Sequence, residues 1–195
     1  MKIVIVQYNA GNIQSVLYAL QRIGVSGIVS NNTEEITTAD KVIFPGVGEA
    51  STAMQYLQEH QLDGVIKNLK QPTLGICLGM QLMCTHSEEN NTPCLNIFDT
   101  QVKKFESNQL KIPQIGWNTI EPNNNVLFAG ISPNSYCYFV HSYYASICSN
   151  TIATTNYTLP FSSALHKDNF YGVQFHPEKS AQVGQQIITN FLTLT

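Results

Sequence analysis

The sequence has few charged residues, and neither sign dominates. Of its 195 residues only 12% are charged, with 10 Lys and Arg against 13 Asp and Glu, so the formal net charge is −3. Average soluble domains carry about 25% charged residues, and a nucleic-acid-binding domain normally carries a basic stripe. This composition therefore argues against a nucleic-acid partner.

Long hydrophobic runs and a cysteine framework are also missing. No apolar stretch approaches the ~18 residues of a membrane span, and the run at 2–6 is too short for the core of a signal peptide. The 5 cysteines are odd in number and lack the C-x-x-C spacing of a metal site. We therefore expect a cytoplasmic protein with reduced thiols, without a membrane contact, a metal or another cofactor.

Strands alternate with helices in the first half of the chain. Buried strands are predicted at 2–6, 27–30, 41–44 and 73–77, and helices at 12–24, around 54–57, at 62–69 and at 78–85. Later strands are predicted at 101–105, 115–120, 137–141, 151–154, 163–167 and 170–175, before a helix at 180–193. We predict a single α/β domain over residues 1–195, with a mostly parallel central sheet flanked by helices and an antiparallel-rich second half.

The segment Gly75-Ile76-Cys77-Leu78-Gly79 has the form G-x-C-x-G where a strand meets a helix. This is the nucleophile-elbow pattern with Cys in place of Ser. Unpaired N–H groups at the helix start favour a thiolate, and the N–H of Leu78 points to where an oxyanion develops. Most free cysteines are buried packing residues, so the motif alone leaves catalysis and packing open.

A histidine and a carboxylate follow much later, in Phe175-His176-Pro177-Glu178. If the chain stays extended there, His176 and Glu178 face the same side. Glu178 would then hold the imidazole in one tautomer while His176 serves as base towards Cys77. Taken alone the tetrapeptide is an incidental surface pair, but together with the elbow it predicts a Cys-His-carboxylate triad.

The glycine-containing segment Pro45-Gly46-Val47-Gly48 comes directly after a predicted strand. Glycines there let the backbone approach a ligand or turn an N–H group outward. The segment lacks the Lys-Ser/Thr of a phosphate-binding loop. A second oxyanion donor and a plain turn both remain open at this point.

Three segments together resemble the class I (triad) glutamine amidotransferases: 75–81, 45–48 and 172–180. The likeness extends to Gly116-Trp117-Asn118 and to the segment Tyr138-Phe139-Val140-His141-Ser142-Tyr143. More narrowly, the chain is similar to the glutaminase subunits that serve histidine biosynthesis. The resemblance implies the family's α/β fold and a glutaminase activity.

The resemblance also implies a role for individual residues. Cys77 would attack glutamine to form a γ-glutamyl thioester, with His176 as acid and base and Glu178 as its orienter. The backbone N–H groups of Val47 and Leu78 would hold the oxyanion. Substrate-binding residues would be Gly46, Gly48, Gln81, Glu89, Ser142 and Tyr143, and partner-contacting residues would be Asn12, Tyr138 and Lys179.

The implied partner is a separate (β/α)8-barrel cyclase, forming a heterodimer that receives the ammonia, because this chain is too short to contain such a barrel. Three other functions stay open: a paralogue that supplies ammonia for amidination of a surface sugar, a non-catalytic regulatory homologue, and a free-standing cysteine hydrolase.

The sequence departs from the family pattern at three positions. Gln7-Tyr8-Asn9 stands where the family commonly has Asp-Tyr-Gly, and Gln114 stands where it usually has His. Asn tolerates a positive φ better than most residues, so we expect Asn9 to replace the glycine locally. These positions bear on coupling to the partner, whereas the triad is unaffected.

Overall fold

A 13-stranded sheet organises the chain in the computed structural model, which describes residues 1–9 and 11–194. The strands are β1 (Ile3–Val6), β2 (Ile28–Ser30), β3 (Lys41–Gly46), β4 (Thr73–Cys77), β5 (His86–Ser87), β6 (Thr92–Pro93), β7 (Gln101–Lys104), β8 (Gln114–Pro122), β9 (Ser135–His141), β10 (Tyr143–Ala145), β11 (Thr151–Asn156), β12 (Pro160–Lys167) and β13 (Phe170–Val173). The helices are α1 (Ile13–Arg22), α2 (Thr33–Thr37), α3 (Ala50–Glu59), α4 (Leu62–Lys67), α5 (Leu78–Leu82) and α6 (Ala181–Thr193).

The centre of the sheet is parallel, in the order β2-β1-β3-β4-β13. Strands β1, β3, β4 and β13 are buried along their whole length, as expected for parallel strands covered on both faces. Apolar residues of α1 and α6 pack on one face, and those of α3, α4 and α5 on the other. The predicted single α/β domain with a central sheet flanked by helices is confirmed.

Antiparallel pairing dominates after residue 100. Strand β12 pairs antiparallel with β13, β11 and β10, and β8 and β9 form a long antiparallel ribbon. This agrees with the prediction of an antiparallel-rich second half. In the part of the chain that is described, no helix is long and apolar enough to cross a bilayer.

Several element boundaries differ from the predicted ones. The helix expected to reach residue 85 ends at Leu82, because the carbonyls of Leu82 and Met83 accept hydrogen bonds from the N–H groups of residues 95, 97 and 98. The short elements α2, β5, β6 and β10 are absent from the sequence prediction. The last strand ends at Val173 rather than at 175, and the chain then bends into a 3-10 turn at Pro177–Lys179.

Candidate active site

Three neighbouring parallel strands bring the predicted machinery to one edge of the sheet. Strand β4 ends at Cys77, with β3 on one side of it and β13 on the other. The chain leaving β3 therefore places Val47 beside Cys77, and the chain leaving β13 delivers His176 from the opposite side. The carboxyl ends of parallel strands are the usual binding edge of an α/β sheet.

Cys77 occupies a tight turn between β4 and α5, with φ 53° and ψ −110°. The residues two positions before and after it must be glycines. A Cβ on Gly79 would lie 1.9 Å from the carbonyl oxygen of Phe44, and one on Gly75 would lie 2.9 Å from the Met80 nitrogen. Leu78 is the first residue of α5, so its N–H has no intrahelical partner. The turn has the geometry that the G-x-C-x-G pattern predicts.

His176 and Glu178 are joined by a short hydrogen bond. Nδ1 of His176 lies 2.7 Å from Oε1 of Glu178, and both side chains are buried. The expectation of an extended backbone here is wrong, because Pro177 begins the 3-10 turn that carries Glu178. The turn is held by Arg22 of α1, whose Nη2 donates to the Glu178 carbonyl at 3.0 Å, and by the His176 N–H, which donates to the Tyr138 carbonyl at 2.8 Å.

The electrostatics of the triad favour a charged imidazole. Burial by itself lowers the pKa of His176, but the negative charge and hydrogen bond of Cys77, with the hydrogen bond and charge of Glu178, raise it to about 10. Oε2 of Glu178 is buried and accepts no hydrogen bond from any described residue. The contacts of the carboxylate are through Oε1, which pairs with His176 and accepts a longer, 3.4 Å hydrogen bond from Nδ2 of Asn12. This arrangement is suited to pairing an imidazolium with a thiolate.

A cavity of about 480 Å³ opens in front of the triad, within the size range of small-molecule sites. It is lined by Gly11, Asn12, Val47, Gly48, Cys77, Leu78, Gln81, Glu89, Pro113, Val140, His141, Ser142, Tyr143, His176 and Lys179. Most of the predicted site residues therefore meet in one place. Gly46, Tyr138 and Glu178 are not on its wall. Glu178 lies next to His176, and Gly46 is buried where a Cβ would lie 2.5 Å from the Tyr8 hydroxyl.

Two polar side chains on the cavity wall are tied to the scaffold. Oε2 of Glu89 accepts a 2.7 Å hydrogen bond from the Ala50 N–H at the start of α3. Burial, opposed by this hydrogen bond and assisted by the nearby charge of Glu49, raises the pKa of Glu89. The side-chain nitrogen of Gln81 donates to the Tyr143 carbonyl at 2.9 Å and to Oε1 of Gln174 at 2.8 Å.

Tyr8 holds the end of β3, just before the loop that contains Val47. Its hydroxyl donates to the Pro45 carbonyl at 2.8 Å. Burial, with a smaller contribution from the negative charge of Cys77, raises the pKa of Tyr8 well above its usual value. The hydroxyl is therefore neutral at ordinary pH and can hold Pro45, two residues before Val47, whose N–H is the predicted oxyanion donor.

Sequence reasoning missed His141 and Gln174. His141 lines the cavity, and its Nδ1–H donates to the Tyr143 carbonyl at 2.7 Å. Burial, partly offset by that hydrogen bond, together with the charge of His176, lowers the pKa of His141 to about 4. Both residues lie inside segments that carried the family resemblance, but neither has a spacing that indicates a chemical role by itself.

The three departures from the family pattern are accommodated differently. Gln114 is buried, and its side-chain amide lies 3.0 Å from Nε2 of His141. Gln7 is exposed. Asn9 does not adopt a left-handed conformation, which corrects the expectation for this position; its side-chain nitrogen instead donates to the Thr52 carbonyl at 3.2 Å.

An apolar surface lies beside the cavity on one face of the β8–β9 ribbon, formed by Ile115, Trp117, Tyr136 and Tyr138. We call it the ribbon face. Ile115, Trp117 and Tyr136 are each more than half exposed, and Trp117 packs edge-on against Tyr138, its cross-strand partner. Grouped exposed aromatics of this kind mark protein interaction surfaces.

Metal ligation has no candidate site within residues 1–9 and 11–194, where no three His, Cys, Asp or Glu side chains are grouped suitably.

Comparison with known proteins identifies the family. The sequence model of the class I glutamine amidotransferase family matches residues 4–194 of this chain. The chain is 56% identical over 196 residues to the imidazole glycerol phosphate synthase subunit HisH of Bacteroides thetaiotaomicron, covering 100% of both. It is 49% identical, with the same coverage, to the HisH subunit of Pectobacterium atrosepticum.

Solved structures show the same fold at low sequence identity. One glutamine amidotransferase superposes with a TM-score of 0.74 at 15% identity, covering 97% of this chain and 96% of that one. PurLQS from Thermotoga maritima superposes with a TM-score of 0.73 at 14% identity, covering 98% and 97%. The family match and the fold agree, and the chain belongs to the class I glutamine amidotransferase family.

Proposed function

We propose that this chain is the glutaminase subunit of an imidazole glycerol phosphate synthase. The observation that carries the pathway assignment is the similarity to HisH subunits over the full length of both chains. The chemistry has separate support, because Cys77 and His176 both line the cavity and Glu178 is hydrogen-bonded to His176, the arrangement of a nucleophile, a base and an orienting carboxylate.

The reaction proceeds through a thioester on Cys77. Sγ attacks the side-chain amide carbon of glutamine, and the N–H groups of Leu78 and Val47 hold the oxyanion. His176 takes the thiol proton and delivers it to the departing nitrogen, which leaves as ammonia. Water then attacks the thioester, giving its proton to His176 and from there to Sγ, and glutamate is released.

The cavity wall recognises the amino-acid end of glutamine. The carboxylate of Glu89, on the cavity wall, suits the substrate's ammonium group, and Gln81 with the backbone at Ser142 and Tyr143 holds the rest. Gly48 lets the loop approach the substrate. Gly46 does not contact the cavity and instead allows close packing against Tyr8.

Ammonia is useful only if it reaches a second reaction before it escapes. The proposed acceptor is a (β/α)8-barrel cyclase subunit, bound as a heterodimer, that makes imidazole glycerol phosphate and an aminoimidazole carboxamide ribotide. The ribbon face, including Tyr138, lies beside the cavity, and Asn12 and Lys179 stand at the cavity mouth. A partner docked on this surface would cover the triad and receive the ammonia directly.

The proposed location is the cytoplasm, where free thiols persist. All five cysteines are free, and burial raises the pKa of Cys94 and Cys137 to about 12, which keeps these two thiols unreactive.

Ammonia release from glutamine tests the proposal. It is measured for the purified chain alone, and with a cognate cyclase and its nucleotide ligand, using Cys77→Ala as the control. We expect strong stimulation by the liganded cyclase and none in the variant. Absence of stimulation with a competent cyclase would contradict the pathway assignment, and stimulation by a sugar-pathway barrel instead would identify the paralogue.

A further inference from the structure

Gln174 has no assigned role, although its side chain touches the nucleophile. It follows β13 two residues before His176 and is completely buried. Its side-chain nitrogen lies 3.7 Å from Sγ of Cys77, and its Oε1 accepts a 2.8 Å hydrogen bond from Gln81. The backbone is fixed as well, because the Gln174 N–H donates to the Ser163 carbonyl at 2.9 Å.

The hydrogen-bond partners determine which way the Gln174 amide faces. The Tyr143 carbonyl can only accept, so Gln81 must present its NH₂ group to it. The same nitrogen of Gln81 therefore donates to Gln174, which must present its oxygen in return. The NH₂ group of Gln174 is thus directed at Sγ, and the ambiguity that usually attends a glutamine amide is removed.

The surroundings of Sγ explain why this donor matters. Besides His176, Sγ has the Val140 carbonyl as a neighbour at 3.7 Å, to which the thiol donates. A carbonyl has no proton to offer a thiolate. After Cys77 loses its proton, the amide of Gln174 is the neutral side-chain donor in contact with Sγ, and a hydrogen bond to a charged group is stronger than one between neutral groups.

We propose that Gln174 is a positioning residue for Cys77, which stabilises the thiolate and links it through Gln81 to the wall of the glutamine cavity. This proposal rests on the proposed role of Cys77 as nucleophile. Through the chain Cys77–Gln174–Gln81–Tyr143, one set of hydrogen bonds fixes both the attacking atom and the surface that the substrate contacts.

The test compares Gln174→Glu and Gln174→Met in the complex with the liganded cyclase. Glu keeps an oxygen for Gln81 but places an oxygen against Sγ, and Met removes both polar ends at similar length. We expect kcat for glutamine hydrolysis to fall about 10- to 100-fold in both variants, with KM changed less than about threefold. Gln185→Met on the exposed side of α6 is the matched control, with parental kinetics.

A second measurement separates this proposal from the proposed function. The rate of Cys77 alkylation by iodoacetamide in the isolated chain at neutral pH needs neither partner nor glutamine, and we expect it to fall about 10-fold in both Gln174 variants. Kinetics and alkylation within about twofold of the parent would overturn the role of Gln174. So would a rise in KM alone, since it would assign Gln174 to substrate binding.

If both variants fail to fold, the parental chain still decides the question. The side-chain amide resonance of Gln174 is followed by NMR before and after alkylation of Cys77. A shift of this resonance supports the contact with Sγ, and an unchanged resonance overturns it.

Discussion

The two sides of the proposed oxyanion site are built differently. On the elbow side, Cys77 is nearly buried and Gly79 packs so closely on Phe44 that no side chain fits. On the loop side, Val47 is 39% exposed, and Gly48 has a φ of +106° with nothing within 4 Å of a Cβ placed there. Packing fixes the nucleophile, whereas the second donor sits on a backbone that has room to turn.

This difference fits the proposed dependence of the glutaminase activity on a cyclase partner. Strand β3 is paired with β4 as far as Gly46, and Tyr8 holds the Pro45 carbonyl, so a peptide rotation that starts after Gly46 leaves this pairing intact. A small difference in free energy between loop conformations is then enough for a docked partner to shift their populations. The elbow can stay ready for attack while the oxyanion site waits for the partner.

The largest effect is expected from removing His176, the proposed base. His176→Gln loses the group that takes the thiol proton, so partner-stimulated glutaminase activity should fall by at least about 10⁴-fold. Steady-state ammonia release measures this. An activity within about tenfold of the parent would show that His176 is not the base.

A methyl group at Gly79 should break the packing of the elbow. Its Cβ would overlap the backbone oxygen of Phe44, so we expect Gly79→Ala to lower the free energy of unfolding by about 3 kcal/mol or more. Urea denaturation checks this against Gly64→Ala, where a Cβ meets nothing within 4 Å and Ala should stabilise α4 by up to about 1 kcal/mol. Equal stability of the two variants would refute the close packing.

Compared with a similar glycine elsewhere in the chain, the loop side should differ in activity and not in stability. Gly48→Ala places a Cβ on a left-handed backbone without a clash, and we expect the stimulated kcat to fall about 10-fold. Gly24→Ala is the matched control, because Gly24 also has a positive φ and open space but lies away from the cavity. The two variants should lose similar stability, about 1–2 kcal/mol; an equal loss of kcat in both would remove the loop from the mechanism.

The last effect concerns His141, next to the triad, and appears only at acidic pH. Its pKa of about 4 in the folded protein lies below the ordinary value of 6.5, so the unfolded chain binds more protons between these pH values. Its contribution to stability is therefore complete above pH 6.5 and is lost as the pH falls to about 4, on the order of 3 kcal/mol.

His141→Asn keeps a donor for the Tyr143 carbonyl and removes the titration. Its free energy of unfolding should therefore change less than that of the parent between pH 7 and pH 4.5, as measured by urea denaturation. The same pH dependence in parent and variant would contradict the lowered pKa.

The α/β architecture and the three side chains of the proposed triad could be predicted from the sequence, because both depend on patterns that local chemistry imposes. Continuous apolar runs indicate parallel strands, and the glycines around Cys77 indicate an elbow. The short strands β5, β6 and β10 were not predictable, since two or three residues form a strand only where a neighbour supplies hydrogen bonds.

The detailed contacts of the site could not be predicted without the fold. Pro177 begins a turn rather than prolonging a strand, yet the His176–Glu178 hydrogen bond still forms because Arg22 and the Tyr138 carbonyl hold that turn. Gln174 contacts Cys77 and His141 lines the cavity only because the ends of β13 and β9 reach the carboxyl end of β4. Contacts between residues so far apart in sequence leave no local signal.

The central claim is that the elbow is fixed while the oxyanion loop awaits the partner. Iodoacetamide alkylation of Cys77 reports on the elbow, and glutaminase kcat reports on both sides. Measured on the same preparation without and with liganded cyclase, kcat should rise about 100-fold or more while alkylation stays within about threefold or slows as the partner covers the cavity. Alkylation and kcat rising together by the same factor would contradict the account, since the partner would then be activating the nucleophile itself.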